Sequence, residues 1–196
     1  MPLALFPDVS GTTLSGTEIS IPRDLRSPWS LLVVTFRDDL DPLADKWVMM
    51  ARRLATGTGG QLQIYELPVV GKGWRLFRPA VREAMKAQAD DADERARTIP
   101  IHEDRKRFRK ALDVRDDDTV HVFLVDQIGR IVWHGEGLLT PPQVAALEAA
   151  VGESLSALGT TDLRPMPEPD RPTGEGLPGM GEPESAAPDA APPENA

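Results

Sequence analysis

The 196-residue chain contains no cysteine. That excludes disulfides, thiolate ligation of zinc or iron–sulfur clusters, a cysteine nucleophile and CxxC redox chemistry. Histidine is scarce as well, with three residues, so a histidine-built metal site is hard to assemble. No stretch approaches the roughly 18 uninterrupted apolar residues of a membrane-spanning helix. A surplus of positive charge is also missing. The formal net charge is −9, whereas nucleic-acid binders usually concentrate cations to displace counterions from phosphate. No nucleic-acid partner is expected. The opening MPLALFPDVSG has no basic n-region, and Pro7 and Asp8 interrupt its apolar run. It reads as neither a signal peptide nor a transit peptide, so the expected location is cytoplasmic. Catalytic motifs are equally thin. There is no GxSxG and no HExxH, Gly71-Lys72-Gly73 lacks P-loop spacing, and Gly57-Thr58-Gly59-Gly60 follows a helix and precedes a strand, the reverse of a phosphate-binding order. No cofactor is expected.

What the chain does have is an ordinary soluble composition, 40% hydrophobic and 27% charged. The composition changes near Leu163. Residues 165–196 hold nine of the 19 prolines and four of the 16 glycines, and seven acidic residues against Arg171 give them −6 of the −9. Such a stretch cannot bury enough apolar surface to offset its ordering entropy. The expected organisation is one domain over residues 1–160 and a disordered, acidic, Pro/Gly-rich tail over 161–196.

Leu31–Phe36 is a short apolar run, the pattern of a strand covered on both faces. Before it, Leu14, Ile19 and Ile21 around Ser15-Gly16 predict a small N-terminal hairpin. Asp41-Pro42 predicts a helix with Asp41 as its N-cap. Leu43, Trp47, Met50, Ala51 and Leu54 follow at helical spacing. Gln61–Leu67 reads as a strand, Trp74–Gln88 as a helix, Asp90–Arg97 as a charged linker and Glu103–Leu112 as a short basic helix. Thr119–Val125 and Arg130–His134 flank a turn with Gly129 in the left-handed position, a β-hairpin. If Asp126 faces Arg130 and Val122 faces His134, then His121 points away from His134, and no metal is expected between them. Thr140 with Pro141 and Pro142 opens a last helix whose stripe is Val144, Leu147, Val151 and Leu155. Trp47, Trp74 and Trp133 read as packing residues, and Trp29 as partly exposed.

This order resembles the thioredoxin-like arrangement: α/β, a central mixed sheet flanked by helices, with an N-terminal β-hairpin of the peroxiredoxin type suggested by Phe6-Pro7-Asp8, Gly11 and Leu14. The segment LVDQIGRIVWHGEG is similar to the strand–turn–strand element of that superfamily. Within it, the chain resembles the F-type ATP synthase assembly factors that in mitochondria chaperone subunit a. The resemblance rests on Phe6-Pro7, Leu14, Gly16, Thr35-Phe36-Arg37, Trp47, Ile64-Tyr65-Glu66-Leu67, Arg82, Phe123-Leu124-Val125-Asp126, Gly129, Ile131, Trp133 and Gly137. It implies a non-catalytic, redox-inactive chaperone whose partner is a protein client, an integral membrane subunit of ATP synthase, with peripheral contact to the inner membrane. The stretch where a redox relative carries its cysteine pair reads Arg37-Asp38-Asp39-Leu40-Asp41-Pro42-Leu43-Ala44, and Asp116-Asp117-Asp118-Thr119 stands where the facing cis-proline would be. Thiol–disulfide exchange and thiol peroxidase chemistry are therefore excluded.

Two clusters are candidate partner-binding surfaces. Arg37, Asp38 and Asp39 follow a central strand at its carboxyl end, where α/β sheets bind ligands. Their carboxylates could act as acid and base, hold a hard cation through oxygens, or simply pair with Arg37 and meet solvent. Arg105, Arg107 and Arg109 belong to the densest basic run, which suits anionic headgroups, an acidic partner segment or water. Two further readings stand beside the chaperone: a cysteine-independent enzyme using Asp38 or Asp39, and a scaffold that binds through its acidic tail. Deleting residues 165–196 is expected to leave the thermal midpoint unchanged, as melts of the full and shortened chains would measure. If the tail carries the binding, the same deletion abolishes partner association.

Overall fold

The computed structural model describes residues 4–71, 78–89 and 91–161. The expected tail therefore lies almost entirely outside the described residues, as do Trp74 and the first residues of the predicted Trp74–Gln88 helix.

β3 (Trp29–Thr35) is the centre of the fold, and all seven of its residues are buried. Apolar side chains point both ways from it, so it requires a covering layer on each face. β4 (Leu62–Pro68) runs parallel to β3 on one side, β5 (His121–Asp126) antiparallel on the other, and β6 (Ile131–Glu136) pairs with β5. The mixed sheet has the order β4-β3-β5-β6. A separate hairpin, β1 (Val9–Thr12) with β2 (Glu18–Ile21), turns through Ser15-Gly16 as predicted, Gly16 taking φ 100°.

Each face carries its own core. On one, Leu32, Val34, Phe36, Leu67 and Phe123 pack with Phe6 and Ile21 near the hairpin and with Phe108 and Leu112 of α4 (Arg105–Leu112). On the other, Leu31, Val33, Ile64, Val122 and Leu124 pack with Trp47, Val48 and Ala51 of α1 (Asp41–Thr56) and with Leu147 and Val151 of α5 (Pro141–Thr161). The predicted helical stripes thus face the sheet. α2 (Arg78–Gln88) and α3 (Ala92–Arg97) lie between β4 and α4 in the chain.

Sheet edges are an aggregation liability unless covered. Here the Ile99 amide donates to the Glu66 carbonyl at 2.8 Å and the Ile101 amide to Pro68 at 2.8 Å, which lays residues 98–101 along β4. At the other edge the Ile131 amide donates to the Ala4 carbonyl at 2.9 Å.

Two expectations need correction. The stretch Asp90–Arg97 is not merely a linker. It contains α3, whose N-cap Asp91 accepts the Glu94 amide at 2.7 Å, and Arg97 in its last turn pairs with Asp93 at 3.0 Å. Asp91 three residues ahead of Glu94 is a helix-start pattern visible in the sequence. Trp29 is buried, because its indole N–H finds the Ser154 carbonyl of α5 at 3.1 Å, a partner 125 residues away.

At Gly11 the β1 backbone lies so close to residues 99–101 that an added Cβ would stand 2.5 Å from Ile99 Cγ2 and 2.9 Å from the Pro100 carbonyl oxygen. Gly11→Ala is expected to cost about 1–3 kcal/mol by overpacking, measured by urea denaturation.

Candidate functional site

The carboxyl end of β3 opens into the first cluster. After buried Phe36 the chain leaves the sheet at Arg37, makes a single 3₁₀ turn (Asp38–Leu40) and enters α1. Arg37 grips Asp39 with both arms of its fork, Nε to Oδ1 at 2.9 Å and NH2 to Oδ2 at 2.7 Å. The pair is 49% and 62% exposed. The Arg37 hydrogen bond holds the Asp39 carboxyl below its ordinary value. Asp41 does not cap the helix as expected. The 3₁₀ turn already brings Leu40 into the helical region, so Leu40 occupies the cap position and Asp41 becomes a helical residue. Desolvation, reinforced by Asp38, Asp45 and Asp39, pushes the Asp41 carboxyl up to about 6.

α4 behaves as an amphipathic helix anchored by Phe108 and Leu112. Asp104 caps it by accepting the Arg107 amide at 2.9 Å. Its three candidate arginines diverge. Arg105 donates from Nε to the Val69 carbonyl at 3.3 Å, just past β4; the Arg107 side chain is exposed; Arg109 pairs with Asp117 at 3.2 Å. Asp117 and Asp118 also act on Arg37, raising its pKa after the larger effects of Asp39. Asp117 thus links Arg37 and Arg109, whereas the Arg107 side chain is exposed.

The β5–β6 hairpin departs from its expected register. Near the turn the expectation holds: the Asp126 amide donates to the Arg130 carbonyl at 3.2 Å, and Val125 faces Ile131. Leu124, however, faces Trp133, so Val132 is an extra residue on β6. A bulge of this kind moves every later side chain to the other face. Phe123 therefore faces His134 and His121 faces Glu136. His121 and His134 share one face, contrary to the alternation read from the sequence.

The consequences are geometric. His121 is fully buried, edge-on to Phe36. Its Nε2 lies 2.9 Å from the Asp116 carbonyl oxygen, and its Nδ1 faces His134 Nε2 at 3.4 Å and Glu136 Oε2 at 3.6 Å. The His134 ring stacks flat on Phe123, centroids 4.5 Å apart and planes 5° apart. Burial, and then His121, lower the His134 pKa, with Glu136 opposing. Since β5 begins where β3 ends, this group sits at the same end of the sheet as Arg37. The sequence hinted at it only through the number of residues between His121 and His134.

On the α1 face lies a cleft of about 430 Å³ lined by residues including Val33, Asp41, Asp45, Arg52, Glu66 and Met85. Desolvation first, and then Glu94, push the Glu66 carboxyl up to about 7 against the opposing pull of Arg97 and Arg52.

No protein-family model matches the sequence, and no curated protein sequence does. Solved structures do match in three dimensions. BsSco, a member of the Sco family of cytochrome c oxidase assembly proteins, aligns with a TM-score of 0.55 at 10% identity, over 79% of this chain and 95% of its own. A Chlorobium tepidum protein assigned as the thiol:disulfide interchange protein DsbE gives 0.54 at 12% identity, over 78% and 96%. Arabidopsis thaliana ScoI, solved with copper bound, gives 0.51 at 13% identity, over 79% and 99%. The fold is thioredoxin-like, on a chain with no cysteine.

Glu66 and Asp41 both have folded-state values raised above the ordinary carboxyl range. Their protonated forms favour the fold, and that contribution is lost as pH rises from the ordinary carboxyl range to about 6 for Asp41 and about 7 for Glu66. Glu66→Gln is therefore expected to stabilise the protein more at about pH 8 than at about pH 5, by on the order of 1 kcal/mol after solvent screening. Denaturant melts at the two pH values measure the difference, and an equal effect at both would refute it.

Proposed function

We propose that this chain is a redox-inactive binding factor on a thioredoxin-like scaffold, acting as the ATP synthase assembly factors do. It chaperones a protein client, an integral membrane subunit of the ATP synthase membrane sector, from a cytoplasmic position peripheral to the inner membrane.

One observation carries the reading: the composition of the surface at the carboxyl end of β3. A thiol enzyme of this fold needs a nucleophile there. This chain instead presents an exposed Arg37–Asp39 pair and the Arg109–Asp117 pair. Just after β6 at the same end stands Leu138, 67% exposed. The group contains no nucleophile, and exposed arginine beside an apolar side chain suits contact with a protein partner. The outward arginine and lysines of α4, Arg107, Lys106 and Lys110, suit acidic loops of a client or anionic headgroups beside it.

A second reading rests on the cleft beside α1. Two carboxyls with raised pKa in one concavity are the equipment of a proton-transferring enzyme, with Glu66 and Asp41 in place of Asp38 and Asp39. Small molecules that raise the thermal midpoint of the native chain but not of Glu66→Gln would favour it.

The principal test is a photo-crosslinking residue at position 138 in the native cell. The expected product is an adduct with an integral membrane protein, weakened by Arg37→Glu. Repeated trials that yield no membrane-protein adduct would overturn the reading.

A further inference from the structure

We propose that His121, His134 and Glu136 form a binding site for a single divalent transition-metal ion of the zinc type, with one coordination position open. The inference rests on donor geometry and is independent of the chaperone reading.

The tautomer of His121 is the first step. The Asp116 carbonyl oxygen can only accept a hydrogen bond, so the Nε2 atom 2.9 Å away carries the ring proton. In the neutral ring Nδ1 then offers its lone pair, on a side chain with no solvent exposure. It confronts a carboxylate oxygen, Glu136 Oε2, at 3.6 Å. Two acceptors face each other, and only a cation or a proton between them makes that arrangement favourable. A carbonyl holding the remote nitrogen of an imidazole is also the usual outer-shell partner of a metal-bound histidine.

The spacing of the donors also suits a metal ion. The gap between His121 Nδ1 and His134 Nε2 is 3.4 Å. A hydrogen bond between nitrogens would draw them to about 3 Å. Four ligands at roughly 2.0–2.1 Å around zinc instead stand about 3.3–3.4 Å apart along each tetrahedral edge. The two separations, 3.4 and 3.6 Å, lie near that edge and make at best a long hydrogen bond. All three donor atoms lie within 4.8 Å of one another.

The donors are held in place. His121 is wedged against Phe36, and His134 lies flat on Phe123, ring centroids 4.5 Å apart. Both come from paired strands, which position a ligand more tightly than loops do. Glu136, with its side chain 63% exposed, supplies the adjustable third arm. Two imidazoles and one carboxylate suit zinc better than calcium or magnesium, which prefer all-oxygen shells. Three protein ligands leave a fourth position for water or for a donor from a bound partner.

The test uses the full-length chain without a histidine tag, with zinc chloride as the probe at about pH 7.5. Equilibrium dialysis should show one zinc per chain, and zinc should raise the thermal midpoint. Cobalt(II) in its place should give the visible absorption of a four-coordinate ion. His134→Ala should abolish the cobalt spectrum, and Glu136→Gln should weaken zinc binding at least about tenfold, while His102→Ala leaves both unchanged. Because His134 and Glu136 side chains are exposed, the variants should fold, and circular dichroism without metal checks that they do. Absence of stoichiometric zinc uptake, or uptake equally tight in His134→Ala and Glu136→Gln, would overturn the proposal.

Discussion

The burial of β3 on both faces is the constraint from which the rest follows. Seven consecutive buried residues do not suit a sheet edge or a one-sided sheet. They force β4 and β5 to flank the strand and require packed layers above and below. Phe108 and Leu112 of α4 meet that requirement on one face, and Trp47 and Leu147 on the other. Chain polarity then does the remaining work. β3 ends, β5 begins and β6 ends at one rim, so residues far apart in sequence arrive there together: Arg37, Asp117, His121, His134 and Glu136.

At that rim a thioredoxin-like scaffold carries no thiol. Its chemistry is divided by the sheet. On the α4 face, aromatic rings and imidazoles converge. On the α1 face, a cleft holds Glu66 and Asp41 in surroundings that disfavour their charge. Between them, Arg37 and Asp39 neutralise each other in solvent. The same fold therefore carries an exposed ion pair, a cleft with two carboxyls of raised pKa and a cluster of metal-type donors.

One residue accounts for the largest gap between sequence and structure. Val132 adds a position to β6, and every side chain beyond it changes face. Without the bulge, His121 and His134 would lie on opposite sides of the sheet. The turn itself was legible, since Asp126 accepts the Ile128 and Arg130 amides at 3.0 and 2.8 Å from one carboxylate oxygen. A bulge leaves no comparable mark, because it answers to packing on both faces at once. Trp133 must reach the α1 side, where it meets Trp47, while Ile131 stays against the opposite core. Asp41 shows the same limit at a helix start. Asp-Pro is a helix opening by local rules, and the preceding 3₁₀ turn moved the aspartate from the cap into the helix.

The sequence by itself determined what depends on neighbours a few residues away. The hairpins, the order of strands and helices, the apolar stripes of α1 and α5 and the exclusion of thiol chemistry were all written in local pattern and composition. Tertiary structure decided what depends on partners far along the chain: the burial of Trp29 under Ser154, the sharing of Asp117 between Arg37 and Arg109, and the convergence of His121, His134 and Glu136. The physical reason is that conformational preference acts over a few bonds. Pairing register, desolvation and the direction a side chain faces are set only when separate segments compete for the same core.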